Sequence, residues 1–470
     1  MDQTTTTAAP GGPVTAPRSS RTIMLSLLLA AVTCQLVISL ETPALPNIAS
    51  TLHTTTAVIG SAQATFYLAG AMLAVILSAY SDFTNTRRLM MWALVLALGG
   101  AVIAAVAPSV PVFFVGRVLQ STATAVFPLA LRVMRQTLTT KQFGQAMGWI
   151  TAANGGVVGL DGILSGWLVD HYGFRSVFGV MIIFAVGTLI VLGRNMPHIA
   201  PVPGGRMDWW GLVLLVLSIA ALELGFGTIS SAGITMMIVV VGAGVLLFIV
   251  FCLVERKRPY PLIPVEYLRS RAAWPILIVS LLACTGILGP INYIIPVFSQ
   301  TKGLGYGMSA VLYAAMFILP VCLVNVFFAP LVGTWAPKFG WRITMRVSML
   351  FSVPILVLLG FGLHSVWLTF VLLGVLGFGF AGALTPLNGL SAINADPRNP
   401  TVLAGVNSAA YGVGSSLGIL IAAQVTATAF TGHSAAPFQN AIWIDAAIIA
   451  VGFVFSLFVT GRAGNTDEKV

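Results

Sequence analysis

The sequence has very little charge for its length. Only 8% of its 470 residues are Asp, Glu, Lys or Arg, whereas 57% are hydrophobic. A soluble globular domain carries about 25% charged residues. A chain this poor in charge cannot cover a surface that faces water, so lipid must form most of its surroundings. The composition therefore predicts an all-α polytopic membrane protein. Its apolar runs are roughly twice the length of a membrane β-barrel strand, which is about 10 residues.

Groupings typical of an enzyme or a metal site are missing from the sequence. It contains no phosphate-binding loop, no G-x-S-x-G motif and no nucleophile–base grouping. None of its five histidines falls in the middle of an apolar run. Its four cysteines lie inside such runs without disulfide or metal spacing. We therefore expect no enzyme activity and no cofactor, so uphill transport would draw on an ion gradient such as that of protons.

Apolar segments long enough to cross a bilayer are abundant, and about 20 residues suffice for each. Fourteen of them follow one another along the chain with short connections. We place them at 22–46, 57–81, 88–107, 110–132, 143–168, 174–194, 208–229, 232–254, 272–299, 308–332, 343–363, 366–390, 402–427 and 438–460. The polar residues 1–21 are expected to form a disordered tail. The first apolar run is too long for a cleaved signal peptide and is interpreted as a retained span.

The positions of the basic residues support this count, because cytoplasmic loops of membrane proteins are enriched in Lys and Arg. With the N-terminus in the cytoplasm, only Arg175 and Lys302 fall outside, and Arg117 falls within a span. All the other Lys and Arg residues then lie on the cytoplasmic side. The net charge of +10 thus reflects orientation and contact with lipid headgroups rather than nucleic-acid binding. Both termini are predicted to be cytoplasmic.

Five ionisable residues lie well within the predicted spans: Glu41, Arg117, Asp161, Glu223 and Asp445. Each costs about 2.5–3.5 kcal/mol or more at the bilayer centre, so each is a functional candidate. Glu41 could carry a proton or attract a cationic ligand, or it could be held neutral by a neighbouring helix. Arg117 keeps its charge and must face a carboxylate, backbone carbonyls or water, as a structural clamp or as a charge that tunes a proton site. Asp445, nearer the outside, is expected to reach the lipid headgroups.

Prolines and glycines accompany two of these acids. Pro43 and Pro46 follow Glu41 and are expected to kink the first span. Asp161 lies in the segment NGGVVGLDGILSGWLVD, whose small residues let another helix pack closely. The glycines expected to form this packing surface include Gly159, Gly162 and Gly166.

Several stretches resemble motifs of the major facilitator superfamily, and within it of the fourteen-span drug:proton antiporters. The stretch LETPALPNIA (40–49) resembles the first-span signature, with Glu41 in place of an aspartate. The stretch SAYSDFTNTRR (78–88) resembles the signature of the loop between spans two and three. The resemblance implies that this loop forms a conformational latch. Its residues are Asp82, Arg87 and Arg88.

Two further signatures lie in the fourth and fifth spans. The stretch RVLQSTATA (117–125) resembles the fourth-span signature, and the family assigns its arginine, Arg117 here, to proton coupling. The stretch DGILSGWLVDHYGFRSVF (161–178) resembles the fifth-span antiporter signature. Asp161 and Gly162 stand where that signature has Gly-Pro, which could create a second proton or cation site.

The resemblance implies two six-helix bundles that rock against each other around a central cavity. It divides the chain into the tail 1–21, a bundle at 22–194, an extra helix pair at 208–254, a cytoplasmic linker at 255–271, a bundle at 272–460 and the tail 461–470. It implies an exporter of the bacterial inner membrane that exchanges hydrophobic or cationic drugs or antibiotics for protons. Glu41 and Arg117 would couple transport to protons, with Asp161 and Glu223 as secondary candidates. Two alternatives stay open: a dedicated exporter of one natural product or lipid, and a membrane receptor or scaffold that transports nothing.

Overall fold

The computed structural model describes residues 20–81, 84–138, 157, 159–197, 209–227, 229–258, 269–394, 402–432 and 434–460. These residues are folded almost entirely into helices, and no strand occurs among them. In a bilayer, a helix satisfies all its backbone hydrogen bonds internally, which explains why so apolar a chain takes this form.

The helices follow one another with short connections. In the first half they are α1 (Ser20–Ser39), α2 (Leu45–Thr51), α3 (Thr56–Tyr80), α4 (Thr86–Val106), α5 (Val110–Gln120), α6 (Val126–Thr137), α7 (159–172) and α8 (Phe174–Asn195). Then come α9 (Trp209–Gly227) and α10 (Ile229–Glu255). In the second half they are α11 (Trp274–Gly289), α12 (Ile295–Gln300), α13 (Ala310–Tyr313), α14 (Leu319–Phe339), α15 (Trp341–Gly362), α16 (Val366–Ile393), α17 (Val402–Gly432) and α18 (Ala436–Ser456).

Twelve helical segments of the described residues are long and apolar enough to cross a membrane. The two other predicted spans are 143–168 and 208–229. The first lies largely outside the described residues, and only its later part is seen, as α7. The second corresponds to α9, a helix of 19 residues in which the apolar part found among the described residues is Trp209–Leu222. The structure therefore shows an all-helical membrane protein with twelve candidate spans, and it does not support the count of fourteen.

Several spans consist of two helices joined by a distorted turn. A 3₁₀ turn at Thr42–Ala44 joins α1 to α2, and a π segment at Pro290–Ile294 joins α11 to α12. Both distortions include a proline, which has no N–H for the helical hydrogen-bond ladder. Such interruptions are tolerated within a membrane span where neighbouring helices surround them.

The two halves of the chain meet along α3 and α17, which pack against each other over much of their length. Small residues allow this close approach: a Cβ on Gly60 would lie 3.1 Å from Cβ of Ala423, and one on Gly412 would lie 2.7 Å from Cβ of Ala71. The pair α9 and α10 packs together, and α9 also contacts α3 and α17. The predicted linker 255–271 and the two tails lie largely outside the described residues, so the predicted domain boundaries stay predictions.

Candidate functional site

The first span is interrupted at Glu41. α1 ends at Ser39, a 3₁₀ turn covers Thr42–Ala44, and α2 begins at Leu45. Pro43 explains the interruption, because it has no N–H to donate to the carbonyl oxygen four residues earlier and its ring crowds that carbonyl. This interruption lies where the prolines were expected to kink the span. It places the Glu41 side chain at the junction, fully buried.

Arg117 lies next to Glu41, in the last turn of α5. Its Nη1 atom is 2.6 Å from Oε2 of Glu41, and neither side chain has any exposed surface. A carboxylate and a guanidinium at this distance neutralise each other, whereas either charge alone would be strongly unfavourable in such surroundings. Of the partners expected for Arg117, the structure thus shows a carboxylate.

Three further side chains hold the guanidinium group of Arg117. Nη1 donates to Oε1 of Gln120 at 2.7 Å, and Nη2 donates to Oε1 of Gln63 at 2.5 Å. The guanidinium carbon lies 4.2 Å from the centroid of the Phe66 ring, which adds a cation–π contact. The N–H groups of arginine point in a fixed planar fork, so these contacts set its orientation as well as its position.

Tyr67 connects the ion pair to the second half of the protein. It lies on α3 close to Glu41 and Arg117, one helical turn after Gln63, which binds Arg117. Its hydroxyl oxygen accepts a hydrogen bond from Nδ2 of Asn292 at 3.4 Å. Asn292 belongs to the π segment between α11 and α12. A single side chain therefore separates the ion pair from the distorted part of a helix in the other half.

Asp161 contacts the same interruption of the first span from α7. The hydroxyl group of Ser39 donates to Oδ2 of Asp161, and the hydroxyl group of Ser165 donates to the carbonyl oxygen of Leu40 at 2.5 Å. Asp161 is 3% exposed, and its Oδ1 atom has no hydrogen-bond partner among the residues that the structure describes. Asp161 and Glu41 therefore both adjoin the backbone of residues 39–41.

The glycines around Asp161 face the second half of the protein. A Cβ on Gly159 would lie 3.2 Å from the Cys322 side chain, and one on Gly162 would lie 3.3 Å from that of Ile318. The approach is closest at Gly166, where a Cβ would lie 2.5 Å from the Cα atom of Val311. This neighbour is backbone and cannot rotate away, so residue 166 must be glycine for the two halves to meet as they do.

Asp170 joins the two halves one turn further along α7. Its Oδ1 accepts from the N–H of Ala310 and its Oδ2 from the N–H of Val311, both at 3.0 Å. The carboxylate thereby caps the first turn of α13, where N–H groups lack helical partners and the helix dipole favours negative charge. No sequence pattern predicted this contact, which lies at the end of the molecule that the charge pattern predicts to be outside.

The structure describes the other predicted site residues only in part. Glu223 lies in α9, but its side chain is outside the described part, as is the whole of Asp82. Arg87 donates to the carbonyl oxygen of Gly193, which ties the start of α4 to the end of α8, and Arg88 is exposed. The latch formed by Asp82, Arg87 and Arg88 therefore stays a prediction.

The prediction that Asp445 reaches the lipid headgroups is wrong, because its side chain is only 1% exposed. It packs against a glycine of α11: a Cβ on Gly289 would lie 3.2 Å from Oδ2 of Asp445. The position of a residue along a span indicates its depth in the membrane. It does not indicate which face of the helix is covered by neighbours.

The uncharged side chains that surround the ion pair are not among the residues predicted from the sequence. Gln63, Gln120 and Asn292 are amides within apolar spans. Gln120 lies three residues after Arg117, a spacing that places two side chains on one face of a helix. An amide in an apolar span also needs a partner, since a polar group buried without a hydrogen bond costs free energy. That signal could have identified them.

A second group of uncharged polar side chains lies in the C-terminal half. Oγ of Ser280 donates to Oδ1 of Asn407 at 2.6 Å, and Nδ2 of Asn407 donates to Oδ1 of Asn388 at 3.4 Å. The hydroxyl group of Tyr411 donates to the carbonyl oxygen of Leu384 at 3.3 Å. Both halves thus carry hydrogen-bonding groups without charge inside their helical bundles.

Comparison with known proteins shows the family. Residues 27–419, most of the chain, match the sequence model of the Major Facilitator Superfamily. The chain belongs to the major facilitator superfamily. This major facilitator protein is therefore a multi-pass membrane transporter by family and fold.

The relatives differ in what they carry. A uridine/deoxyuridine transporter of Lactococcus lactis subsp. cremoris is 32% identical over 410 residues, which cover 85% of each chain. A tetracenomycin C resistance and export protein of Streptomyces glaucescens is 27% identical over 333 residues, 67% of this chain and 58% of that protein. The solved structure of the POT family transporter PepTSo has a TM-score of 0.70 at 15% identity, over 94% of this chain and 98% of that one. That likeness concerns the fold alone. The comparisons do not single out the drug:proton antiporter subfamily.

Proposed function

We propose that this protein is a proton-coupled transporter of small, uncharged polar ring compounds, with pyrimidine nucleosides such as uridine as representative substrates. The buried ion pair of Glu41 and Arg117 is the observation that carries the proton coupling. The 32% identity to a uridine/deoxyuridine transporter supports the substrate class. In this proposal, α9 and the segment 143–168 each cross the membrane, which gives fourteen spans. Two helical bundles rock against each other, so that a central binding site opens first to one side of the membrane and then to the other.

The ion pair can couple proton binding to movement because it is buried. When Glu41 takes up a proton, Arg117 loses its countercharge and keeps only two amide oxygens and an aromatic ring as partners. A buried charge left in this way is unfavourable by about 3–5 kcal/mol. A conformation that brings water or another partner to Arg117 then becomes favoured. A ligand shifts the equilibrium between two conformations when it binds one of them more tightly than the other. In this protein the proton on Glu41 would be that ligand.

The same ion pair disfavours Glu41 as the site that attracts a cationic substrate. Its charge is already balanced by Arg117 at 2.6 Å, so the pair presents little net charge to a ligand. The neighbouring polar groups, Tyr67 and Asn292, are uncharged and offer both hydrogen-bond donors and acceptors. Such groups suit the carbonyl and hydroxyl groups of a nucleoside better than a lipophilic cation.

Export of cationic drugs is the second candidate function, and the environment of the Asp161 carboxyl favours it. Its Oδ1 atom is buried and has no hydrogen-bond partner among the described residues, and no basic side chain is paired with it there. A carboxylate in this state can hold a cation. The similarity to a tetracenomycin C export protein supports the same candidate.

Exchange of labelled uridine across the membrane of proteoliposomes separates the two candidates. Vesicles with the purified protein are loaded with unlabelled uridine and diluted into labelled uridine, with protein-free vesicles as the control. We expect rapid accumulation of label that excess thymidine or deoxyuridine suppresses and ethidium does not. Absence of uridine exchange, together with ethidium movement driven by a pH gradient, would instead support the export candidate.

A further inference from the structure

Asp445 is a buried acid that the proposed coupling does not use. It lies in the middle of α18, and its side chain is 1% exposed. Neither carboxyl oxygen has a hydrogen-bond partner among the residues that the structure describes. Within that part of the chain, an acid with both oxygens buried and unpartnered needs a physical explanation.

The space around the Asp445 carboxyl is made by glycines of two neighbouring helices. A Cβ on Gly289 of α11 would lie 3.2 Å from Oδ2 and 3.3 Å from Oδ1, and 3.1 Å from the carbonyl oxygen of Gly418 in α17. A Cβ on Gly286 would lie 2.7 Å from the backbone oxygen of Asp445. The carboxyl thus occupies a small compartment where α11, α17 and α18 meet.

This compartment adjoins the distorted part of the helix that follows Gly289. Pro290 begins the π segment and has no N–H, so the carbonyl oxygen of Gly286 loses the donor that a regular helix would supply. Asn292 lies in the same segment and contacts Tyr67 beside the ion pair. The segment therefore has Asp445 near its start, and its middle contacts Tyr67.

No basic group balances Asp445 within the described residues. The ionisable side chains on the elements that pack against α18 are Cys284 on α11, Tyr293 in the π segment, Arg342 and Arg346 on α15, and Tyr411 on α17. Among the described residues, none of these groups forms a hydrogen bond or an ion pair with the Asp445 carboxyl. The side chain of Arg346 is instead bound to the carbonyl oxygens of Ser456, Leu457 and Val459.

We propose that Asp445 is a second proton-binding site, which holds a proton in the conformation described here and releases it when the π segment rearranges. An ionised carboxylate in this compartment would be a buried charge without a partner, which is strongly unfavourable. A protonated carboxyl is neutral and has one O–H to donate to a backbone carbonyl. Release requires water to reach the compartment, and therefore requires α11 to move from α18.

The link to transport rests on the proposed function, whereas occupancy of the site by a proton does not. Movement of the π segment would alter both the Asp445 compartment and the contact between Asn292 and Tyr67. The proton on Asp445 would thereby be coupled to the state of the Glu41–Arg117 pair in the other half. Each transport cycle would then move one proton through Asp445 in addition to that carried by Glu41.

Infrared spectroscopy of the purified protein tests occupancy without any substrate. We expect the wild-type protein at neutral pH to show a protonated-carboxyl band that Asp445→Asn removes and Asp445→Glu shifts in frequency. Asp170→Asn is the matched control, because Asp170 is an exposed carboxylate that accepts two backbone hydrogen bonds. That change should leave the band in place. Asparagine has nearly the shape of protonated aspartate, so the variant is expected to fold.

Three results would overturn the occupancy proposal. One is a carboxyl region that is the same in wild type and Asp445→Asn. Another is an Asp445→Glu spectrum without a shifted band. The third is a band seen only after sodium is removed, which would make Asp445 a cation site.

The number of protons moved per uridine tests the coupling. It is obtained from the membrane potential at which a fixed pair of pH and uridine gradients produces no net flux. We expect the ratio to fall by one in Asp445→Asn, and an unchanged ratio would contradict the coupling. If the wild-type protein moves no uridine, the proposed substrate is wrong, and the infrared band still decides whether Asp445 holds a proton.

Discussion

Nη1 of Arg117 lies 2.6 Å from Oε2 of Glu41, and both side chains are fully buried where the first span is interrupted. The two charges come from different spans, so the pair fixes α5 against the junction of α1 and α2. Proton uptake by Glu41 would remove its negative charge, break the ion pair and leave the positive charge of Arg117 buried without a counterion. This relationship makes a single proton able to change the packing of two membrane helices.

The ion pair predicts strong non-additivity in stability. Glu41→Gln and Arg117→Gln each leave one charge buried without its partner, so each should destabilise the protein by about 3–5 kcal/mol. The double variant removes both charges and should be destabilised by much less than the sum. Thermal unfolding of the four proteins in detergent measures this. Additive effects of the two substitutions would show that the pair contributes nothing as a unit.

The close approach at Gly166 predicts a severe effect of one methyl group. In Gly166→Ala the new Cβ would lie 2.5 Å from Cα of Val311 and 2.6 Å from its backbone nitrogen. Since neither atom can rotate away, the two halves must separate at this end. We expect uridine exchange to fall at least tenfold, a loss of about 1.4 kcal/mol in transition-state stabilisation.

Gly179→Ala is the matched control for this experiment. It is the same change on α8, at a position where a Cβ has no neighbour within 4 Å. Its exchange rate should stay close to that of wild type. Equal rates for the two alanine variants would contradict the role assigned to the contact of α7 with α13.

The cap provided by Asp170 predicts a shift between conformations. Replacement of a capping carboxylate by alanine typically costs about 1 kcal/mol, here only in the state that joins the two halves. Asp170→Ala should therefore raise the population of the state that is open at this end by about fivefold. Distances between spin labels at the exposed positions Thr55 and Lys302, one in each half, would report it.

Arg175→Gln is the control for the spin-label measurement, because Arg175 is exposed on the same side and does not cap α13. Its distance distribution should match that of the labelled wild type. A distribution in Asp170→Ala that is indistinguishable from this control would show that the cap does not hold the two halves together.

Asp161 predicts a difference between substrate classes. If its unpartnered carboxyl oxygen binds cations, Asp161→Asn should abolish ethidium transport and leave uridine exchange within about twofold of wild type. Ser165→Ala serves as a neighbouring control, because it removes a hydrogen bond to Leu40 without changing charge. Equal loss of both activities in Asp161→Asn would assign Asp161 to the coupling or to the packing of α7, and would reject it as a cation site.

Glu41 and Arg117 could be singled out from the sequence because charge is rare in apolar spans, and Pro43 predicted a distortion of the helix next to Glu41. Their actual contact could not be predicted, since it joins residues 76 positions apart and depends on how two helices are rotated. The same limit explains the error at Asp445. The described residues show twelve candidate spans rather than fourteen for a different reason: the segment 143–168 lies largely outside them, and the apolar part found for α9 is Trp209–Leu222.

The central claim is that protonation of Glu41 couples transport to the proton gradient, and one measurement tests it most directly. Uridine flux into proteoliposomes is recorded with and without an imposed pH gradient, for wild type and for Glu41→Gln, with a protonophore as the control. We expect the gradient to drive uridine accumulation or expulsion in wild type, and only gradient-independent exchange in Glu41→Gln. Gradient-driven flux of wild-type size and pH dependence in Glu41→Gln would contradict the account.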